Sequence, residues 1–219
     1  MNLTLKENYT ILHIALKKGL VNDGNVAFTI GLAAVVLAEL MQRKKIALKG
    51  EYVLLKDAMH TGDPVLDFVL DQLDASDSDY NVKAWLERLT HKETCKHLLK
   101  ALFDSMGQNE LVKVTVRRKF FFFGNEQTYQ LNNTSLKTEL ENRLRKCLLV
   151  KNTEVTEEDA ILIILLDRCR LFKLFIPDVN DRRSAGKRVK ELMAIPISGD
   201  NLLFKALQVG LKEKYTISA

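Results

Sequence analysis

The sequence has few of the residues that cross-link a small domain or bind a metal. There are three cysteines among 219 residues, and Cys95, Cys147 and Cys169 show no Cys-x-x-Cys spacing. An odd number of scattered cysteines favours reduced thiols in a core over a disulfide framework or a zinc site. The four histidines also lack the His-Glu-x-x-His pattern of a metal-binding helix. We therefore expect no bound metal.

Glycine and proline are also sparse, with ten and three residues. The glycines form neither a P-loop nor a dinucleotide-binding fingerprint, and no Gly-x-Ser-x-Gly elbow is present. The carboxylates Glu157, Glu158 and Asp159 are better explained as first-turn anions at a helix N-terminus than as an acid/base pair. These absences predict a protein that is not an enzyme and needs no cofactor.

Long apolar runs are missing as well. The stretch Val26–Ala38 contains Thr29 and Gly31 and is shorter than the ~20 residues of a membrane-spanning helix. It predicts a buried helix. Residues 1–7 have neither the basic region nor the apolar region of a secretory signal, so we expect a cytoplasmic protein, peripheral on a membrane surface at most.

The composition that remains is typical of a globular protein with a substantial core. Hydrophobic residues make up 47% of the chain and charged residues 28%. No repeat or Pro/Gly/Ser-rich linker divides the sequence, which predicts one domain over residues 1–219. The net charge of +5 is compatible with an acidic partner, although many proteins without one share it.

Start and stop signals predict most of the helices. Thr4 and Glu7 have the spacing of a capping box, and the helix that follows runs to about Lys18, where Gly19 ends it. A segment from about Val26 to Gln42 is apolar on nearly all sides, which is typical of a central helix. Asp63 can cap a helix that has Pro64 in its first position.

The rest of the chain predicts further helices and two hairpins. The helices are expected at about 82–89, at about 94–106 with Gly107 as the closing residue, from Thr134, from Thr156 as the cap of a second central helix, from Asp181 as a cap to Met193, and over 202–212. The hairpins are expected at 46–48 with 52–55, and at 112–116 with Phe120–Phe123, extended by Tyr129 and Leu131. The fold class is therefore mainly α, a single helical-bundle domain with central apolar helices and two β-hairpins.

Three basic groups could hold phosphates, although solvated faces are the commoner explanation. The groups are Lys92, Lys96 and Lys100 on one helix face, Arg117, Arg118 and Lys119 at a hairpin tip, and Arg182, Arg183, Lys187, Arg188 and Lys190 on a late helix. Four consecutive phenylalanines, Phe120, Phe121, Phe122 and Phe123, form either an alternating core strand or an adhesive exposed edge.

The order of these features resembles the Golgi phosphoprotein 3 family. The segments that carry the resemblance are Thr4–Tyr9, Gly31–Leu32 with Leu37–Leu40, Thr61–Asp67, Trp85–Leu89, Gly107 and Lys187–Leu192. The resemblance implies a mainly helical domain whose β-hairpin serves self-association in some members. In eukaryotic members it also implies a peripheral membrane adaptor that binds phosphatidylinositol 4-phosphate and sorts glycosyltransferases. This sequence identifies no cargo of its own.

The family's lipid pocket is largely not retained at the matching positions. The resemblance puts a Trp of the family at Gly24, an Arg at Ala33, and two basic residues at Glu93 and Lys96. Only Lys96 keeps the charge, and a carboxylate at position 93 would repel a phosphate. The leading hypothesis is a non-enzymatic peripheral membrane adaptor, drawn to anionic lipid through Lys92, Lys96 and Arg43.

Two alternatives belong to other classes. One is an interaction module without lipid specificity that forms homo-oligomers through residues 112–131. The other is a nucleic-acid binder, because helices followed by a hairpin with a basic tip imitate a winged helix. The core pattern of the helix after Thr94 disfavours nucleic acid, since it leaves no free recognition face.

Overall fold

The computed structural model describes residues 3–19, 21, 24–76, 80–118 and 125–194. Its helices are α1 (Leu5–Leu16), α2 (Val26–Gln42), α3 (Pro64–Asp74), α4 (Val82–Leu89), α5 (Lys92–Gln108), α6 (Thr134–Leu149), α7 (Glu157–Arg168), α8 (Phe172–Phe175) and α9 (Val179–Ala194). Its strands are β1 (Ile46–Lys49), β2 (Tyr52–Leu55), β3 (Val112–Arg118) and β4 (Asn125–Leu131). The prediction of a mainly α fold with two hairpins is confirmed.

Two helices form the centre of the core, as their sequences predict. Every residue from Phe28 to Leu40 in α2 is buried, and so is every residue from Asp159 to Leu166 in α7. Helix α1 packs against both; α3 and α4 also pack against α2, and α5 packs against α3 and α4. A helix that buries all its faces must be surrounded by other elements, which is why these two segments lack a polar stripe.

The structure confirms three predicted helix starts, at Thr4, Asp63 and Thr156. Thr4 accepts a hydrogen bond from the Glu7 amide, and the Glu7 carboxylate accepts one from the Thr4 amide. Asp63 accepts from the amides of α3's second and third residues, with Pro64 in the first turn. Thr156 accepts from the Asp159 amide at the start of α7. Each cap satisfies amides that have no partner inside the helix.

Helix α2 meets α1 at a glycine. Tyr9 Oη lies 3.1 Å from the carbonyl oxygen of Ala27, 3.2 Å from that of Phe28 and 3.5 Å from Sγ of Cys169. A Cβ atom at Gly31 would overlap the Tyr9 hydroxyl. Only glycine therefore allows the buried tyrosine to reach the α2 backbone.

The end of α5 differs from the prediction. Gly107 lies inside the helix, and the left-handed residue that ends it is Glu110, with φ of 55°. The Leu111 amide then bonds to the Met106 carbonyl at 2.9 Å, and both of these apolar side chains are buried. Because Met106 and Leu111 are both buried when the helix ends at Glu110, this end is favoured over one at Gly107. The helix also begins two residues earlier than expected, with His91 as its N-cap.

The late helix α9 begins at a different cap from the one expected. The Asp178 carboxylate accepts hydrogen bonds from the Asn180 and Asp181 amides, both at 2.9 Å, so Asp178 and not Asp181 caps the helix. Asp178 directly follows Pro177, whose ring sets an extended approach to the helix. The short helix α8 was not expected from the sequence.

Both hairpins are antiparallel. Strand β1 pairs with β2 from Ile46↔Leu55 to Lys49↔Tyr52, and β3 pairs with β4 from Val112↔Leu131 to Arg118↔Asn125. Strand β4 includes Tyr129 and Leu131 as predicted. The expected hairpin tip at Arg117 and Arg118 is wrong, because both residues lie in β3 and pair with Glu126 and Asn125. The expected strand at Phe120–Phe123 and the expected helix over 202–212 lie outside the described residues.

The root of the β3–β4 hairpin is fixed to the helical core. The Tyr129 amide donates to the carbonyl oxygen of Gly19, just after α1, at 3.0 Å. The backbone approach is close, because a Cβ on Gly19 would lie 2.5 Å from the Tyr129 carbonyl oxygen. The Tyr129 ring stacks on Phe103 of α5 with 3.6 Å between centroids. Two helices therefore position this hairpin.

Candidate functional site

The predicted lysine row lies on the outer face of α5. Lys92, Lys96 and Lys100 are all exposed, as expected, and the opposite face of the helix is buried. The buried residues of α5 are Cys95, Leu98, Leu99, Leu102, Phe103 and Met106. Because this apolar stripe is used in the core, α5 offers a partner only its lysine face.

Acidic neighbours reduce the positive charge of this face. The Lys96 ammonium lies 3.1 Å from the Glu93 carboxylate, and Lys100 forms an ion pair with Asp104. The hydrogen bond from Lys96 lowers the pKa of Glu93, which keeps that carboxylate ionised. Among the described residues, no ion pair is formed by Lys92. Three lysines and two carboxylates leave the face with a small positive excess.

Arg43 belongs to a neighbouring element. It is the C-cap of α2 and is exposed, whereas the lysine row is on α5. Helices α3 and α4 pack against both α2 and α5 and connect the two positions. Lys45, two residues on, is held by the Asp57 carboxylate at 2.5 Å.

The positions that match the family's lipid pocket do not form a cationic cradle. Ala33 is fully buried inside α2, and Gly24 has no side chain. Glu93 and Lys96, which match the two basic positions, lie on the exposed face of α5, and Lys96 is the one cation among the four matched positions.

The Thr-Gly-Asp-Pro segment holds a buried ion network that the sequence reading missed. The Lys6 ammonium lies 2.9 Å from Glu39 and 2.5 Å from Asp63, and Glu39 also accepts from the Lys6 amide at 2.6 Å. Lys6 is only 2% exposed. The network joins α1, α2 and the start of α3. Sequence spacing gives no signal for it, because its members are 33 and 57 residues apart.

A second carboxylate organises the same segment. Asp67 accepts hydrogen bonds from the Thr61 amide at 2.6 Å, the Thr61 hydroxyl at 2.7 Å and the Gly62 amide at 3.1 Å. Burial opposes ionisation of Asp67, but these bonds lower its pKa overall. Gly62, with φ of 80°, provides the left-handed turn before the cap. The motif is therefore explained by structure, with no ligand required.

The described residues contain neither a group of metal ligands nor a membrane-spanning helix. In residues 3–194 with the gaps given above, no three His, Cys, Asp or Glu side chains are grouped as metal ligands would be. None of the helices described is long and apolar enough to span a bilayer.

The chain matches the model of a known protein family. The family model described as Golgi phosphoprotein 3 (GPP34) matches residues 5–210. The match begins at the first residue of α1 and extends beyond α9, so it covers all the helices and both hairpins described above. The chain belongs to the Golgi phosphoprotein 3 family.

Proposed function

We propose that this chain is a non-enzymatic peripheral membrane adaptor, which attaches to anionic lipid by charge and does not select a headgroup. The observation that supports this proposal is the lysine row of α5, which is exposed. At the positions matched to the family's pocket, the resemblance puts Gly24 in place of the aromatic residue and the buried Ala33 in place of the arginine, so neither a stacking ring nor a guanidinium is present at those positions.

The remaining cations act as point charges. Lysine lacks the planar fork with which arginine binds a phosphate through two parallel hydrogen bonds. Each lysine near an anionic membrane contributes about 1 kcal/mol, and the attraction falls off over a Debye length of about 8 Å at physiological salt. Attachment through Lys92, Lys96 and Arg43 would therefore be weak, additive and sensitive to salt.

Liposome flotation of the full chain tests this proposal. We expect similar binding to phosphatidylserine and phosphatidylinositol 4-phosphate vesicles of matched charge, and a steady decline as salt rises. The double variant Lys92→Glu/Lys96→Glu should lose most of the binding. The control Lys151→Glu/Lys173→Glu makes the same charge change at two exposed positions away from α5 and should retain it.

Two outcomes would contradict the proposal. Binding that resists salt and prefers phosphatidylinositol 4-phosphate would mean that a selective pocket has survived. An equal loss in both double variants would mean that net charge, and not the lysine row, controls attachment.

A second candidate function is self-association through the β3–β4 hairpin. Val112 and Val114 lie on the same face of β3, but Val112 is buried whereas Val114 is 45% exposed. The apolar face of β3 thus extends past Val112, which the helical core covers, to Val114, which it does not. A two-stranded sheet also leaves backbone donors and acceptors for edge pairing. A second copy of the chain would cover this face.

Sedimentation velocity tests this second candidate. We expect a dimer or larger species that moves toward monomer in the Phe121→Ser/Phe123→Ser variant. Val150→Ser serves as the control, since Val150 is exposed and distant in sequence from the hairpin. A wild-type chain that stays monomeric at high concentration would rule the candidate out.

A further inference from the structure

The outward side of α9 carries a row of positive charge. The helix packs against α6 and α7, and its buried residues are Ala185, Val189 and Leu192. On the opposite side Arg183, Lys187 and Lys190 are exposed, and these three residues form the α9 ridge. At about 100° of rotation per residue they lie within an arc of about 60°, so the ridge runs parallel to the helix axis.

No carboxylate neutralises the α9 ridge. In the described part of the chain, none of its three side chains has an ion-pair or hydrogen-bond partner. Glu191 is bound by Arg188 at 2.9 Å, and Asp181 lies about 200° around the helix from Arg183. Like charges three or four residues apart on a helix repel each other. The ridge therefore contains a repulsion that an anionic partner would relieve.

A glycine beside the ridge leaves room for a partner to approach closely. Gly186 is three residues after Arg183 and four before Lys190, so it adjoins both on the helix surface. Glycine inside a helix costs stability relative to alanine. A Cβ atom at Gly186 would meet nothing within 4 Å among the described residues, so their packing does not require glycine there. The gap is independent of the charges and fits the side-chain ridge of a second helix.

The spacing of the ridge favours a helical protein segment as the partner. Its cations are four and three residues apart, so carboxylates at the same spacing on a second helix can pair with them. Val179, four residues before Arg183, is 59% exposed and adds an apolar contact on the same side. Helix α9 has no aromatic residue on which the bases of a single-stranded nucleic acid would stack.

We propose that the α9 ridge and Gly186 bind an acidic amphipathic helix of a partner protein. The partner's carboxylates pair with the ridge, and its apolar side chains pack over Gly186 and Val179. This inference rests on the adaptor function proposed above, because an adaptor needs a protein-binding surface apart from its lipid-binding one. The lysine row lies on α5, which packs against α3 and α4, whereas α9 packs against α6 and α7. The two surfaces are thus on different parts of the bundle.

Fluorescence anisotropy of a labelled probe peptide with the full chain tests the surface. The probe has about 20 residues, which is long enough for a helix, with leucines on one face and glutamates beside them at heptad spacing. The control peptide has glutamine in place of every glutamate. We expect the glutamate peptide to bind at least about tenfold more tightly than the glutamine peptide, and its affinity to fall as salt rises.

Two double variants separate this surface from the lysine row. Lys187→Glu/Lys190→Glu should weaken peptide binding at least about tenfold and leave vesicle flotation unchanged. Lys92→Glu/Lys96→Glu makes the same charge change on α5 and should have the opposite pattern. Failure of the lipid proposal would appear in flotation, and failure of this one in anisotropy.

Gly186→Leu fills the gap and should weaken peptide binding at least about threefold. Its matched control is Gly107→Leu, at an exposed glycine of α5 where a Cβ likewise meets nothing within 4 Å; it should leave binding unchanged, and thermal unfolding checks that both variants fold. The proposal fails if the glutamine peptide binds as tightly, if both double variants lose peptide binding equally, or if Gly186→Leu binds like wild type. Tighter binding of an oligothymidine than of the glutamate peptide would overturn it in favour of nucleic acid.

Discussion

Two lysines of this chain meet carboxylates in opposite surroundings. Lys6 is 2% exposed between Glu39 and Asp63, whereas the Lys96 side chain is 47% exposed beside Glu93. The buried cation has exchanged water for contacts with two carboxylates of other elements, and removing it would leave both carboxylates without a positive charge. The exposed cation can leave its partner at little cost. The same pair of residue types thus fixes the fold in one region and remains available for binding in the other.

The largest expected effect is at the buried lysine. Lys6→Met keeps the aliphatic stem but removes the charge, so Glu39 and Asp63 would be left uncompensated. We expect a loss of about 3–5 kcal/mol in the free energy of unfolding, measured by urea denaturation. A loss below about 1 kcal/mol would show that water replaces the ammonium and that the network is not a structural joint.

The next largest effect is expected where Tyr9 of α1 contacts Gly31 of α2. Gly31→Ala places a methyl group on the Tyr9 hydroxyl, which cannot move because it contacts the α2 backbone. We expect a loss of about 1–3 kcal/mol, even though alanine favours a helix. The double variant Gly31→Ala/Tyr9→Leu makes room for the methyl group. We expect its loss of unfolding free energy to be smaller than the sum of the losses in the two single variants. Strict additivity would contradict the clash.

The third effect concerns a buried polar group that has no partner. His13 lies between Tyr9 and Phe28, and neither ring nitrogen has a hydrogen bond within the described residues. Burial, assisted by Lys17, lowers the pKa of His13 to about 3. The folded chain therefore keeps His13 neutral, whereas the unfolded chain protonates it below its ordinary pKa of 6.5.

The sign follows from this difference. Stability is fully present above pH 6.5 and is lost as the pH falls from 6.5 toward 3, by about 1.4 kcal/mol for each pH unit. Denaturation of wild type and His13→Leu at pH 7, 6 and 5 measures the effect. The difference in unfolding free energy between the two should change by about 1.2 kcal/mol from pH 6 to pH 5 and by about half as much from pH 7 to pH 6, where the histidine of the unfolded chain is only partly protonated. Parallel pH profiles would disprove it.

The smallest effect is expected at the exposed lysine. Lys96→Met removes an ion pair that water already screens, so the free energy of unfolding should change by less than about 0.5 kcal/mol. The matched substitution at Lys6 makes the comparison direct. If the two Met variants lose similar stability, exposure is not what separates the two regions.

Local chemistry explains why much of the fold was predictable. A capping box such as Thr4 with Glu7, or a proline after Asp63, is defined by neighbours within one turn, so the sequence alone specifies it. The all-apolar segment of α2 is equally local in origin. The expected stop at Gly107 was wrong because tertiary burial of Leu111 decided where α5 ends. The cap at Asp178 was missed because Asp181 offered an equally good local signal.

The candidate sites show the same difference between features set by neighbouring residues and features set by tertiary contacts. Helical spacing predicted the exposed row of α5, since residues four apart share a face. It could not predict that Glu93 and Asp104 would reduce the charge of that row. The Lys6 network was not predictable at all, because it joins residues from elements that meet only in the folded chain.

The hydrogen bond from Tyr129 to Gly19 has a consequence for how this family member can vary. Because the register of the β3–β4 hairpin is set at its root, the number of residues that connect the outer ends of the strands is free of the demands of the core. We expect the helical core to tolerate changes of length and composition between positions 118 and 125, whereas a substitution at Gly19 should destabilise it. The sequence that connects β3 to β4 can thus diverge while the packing of the helices stays the same.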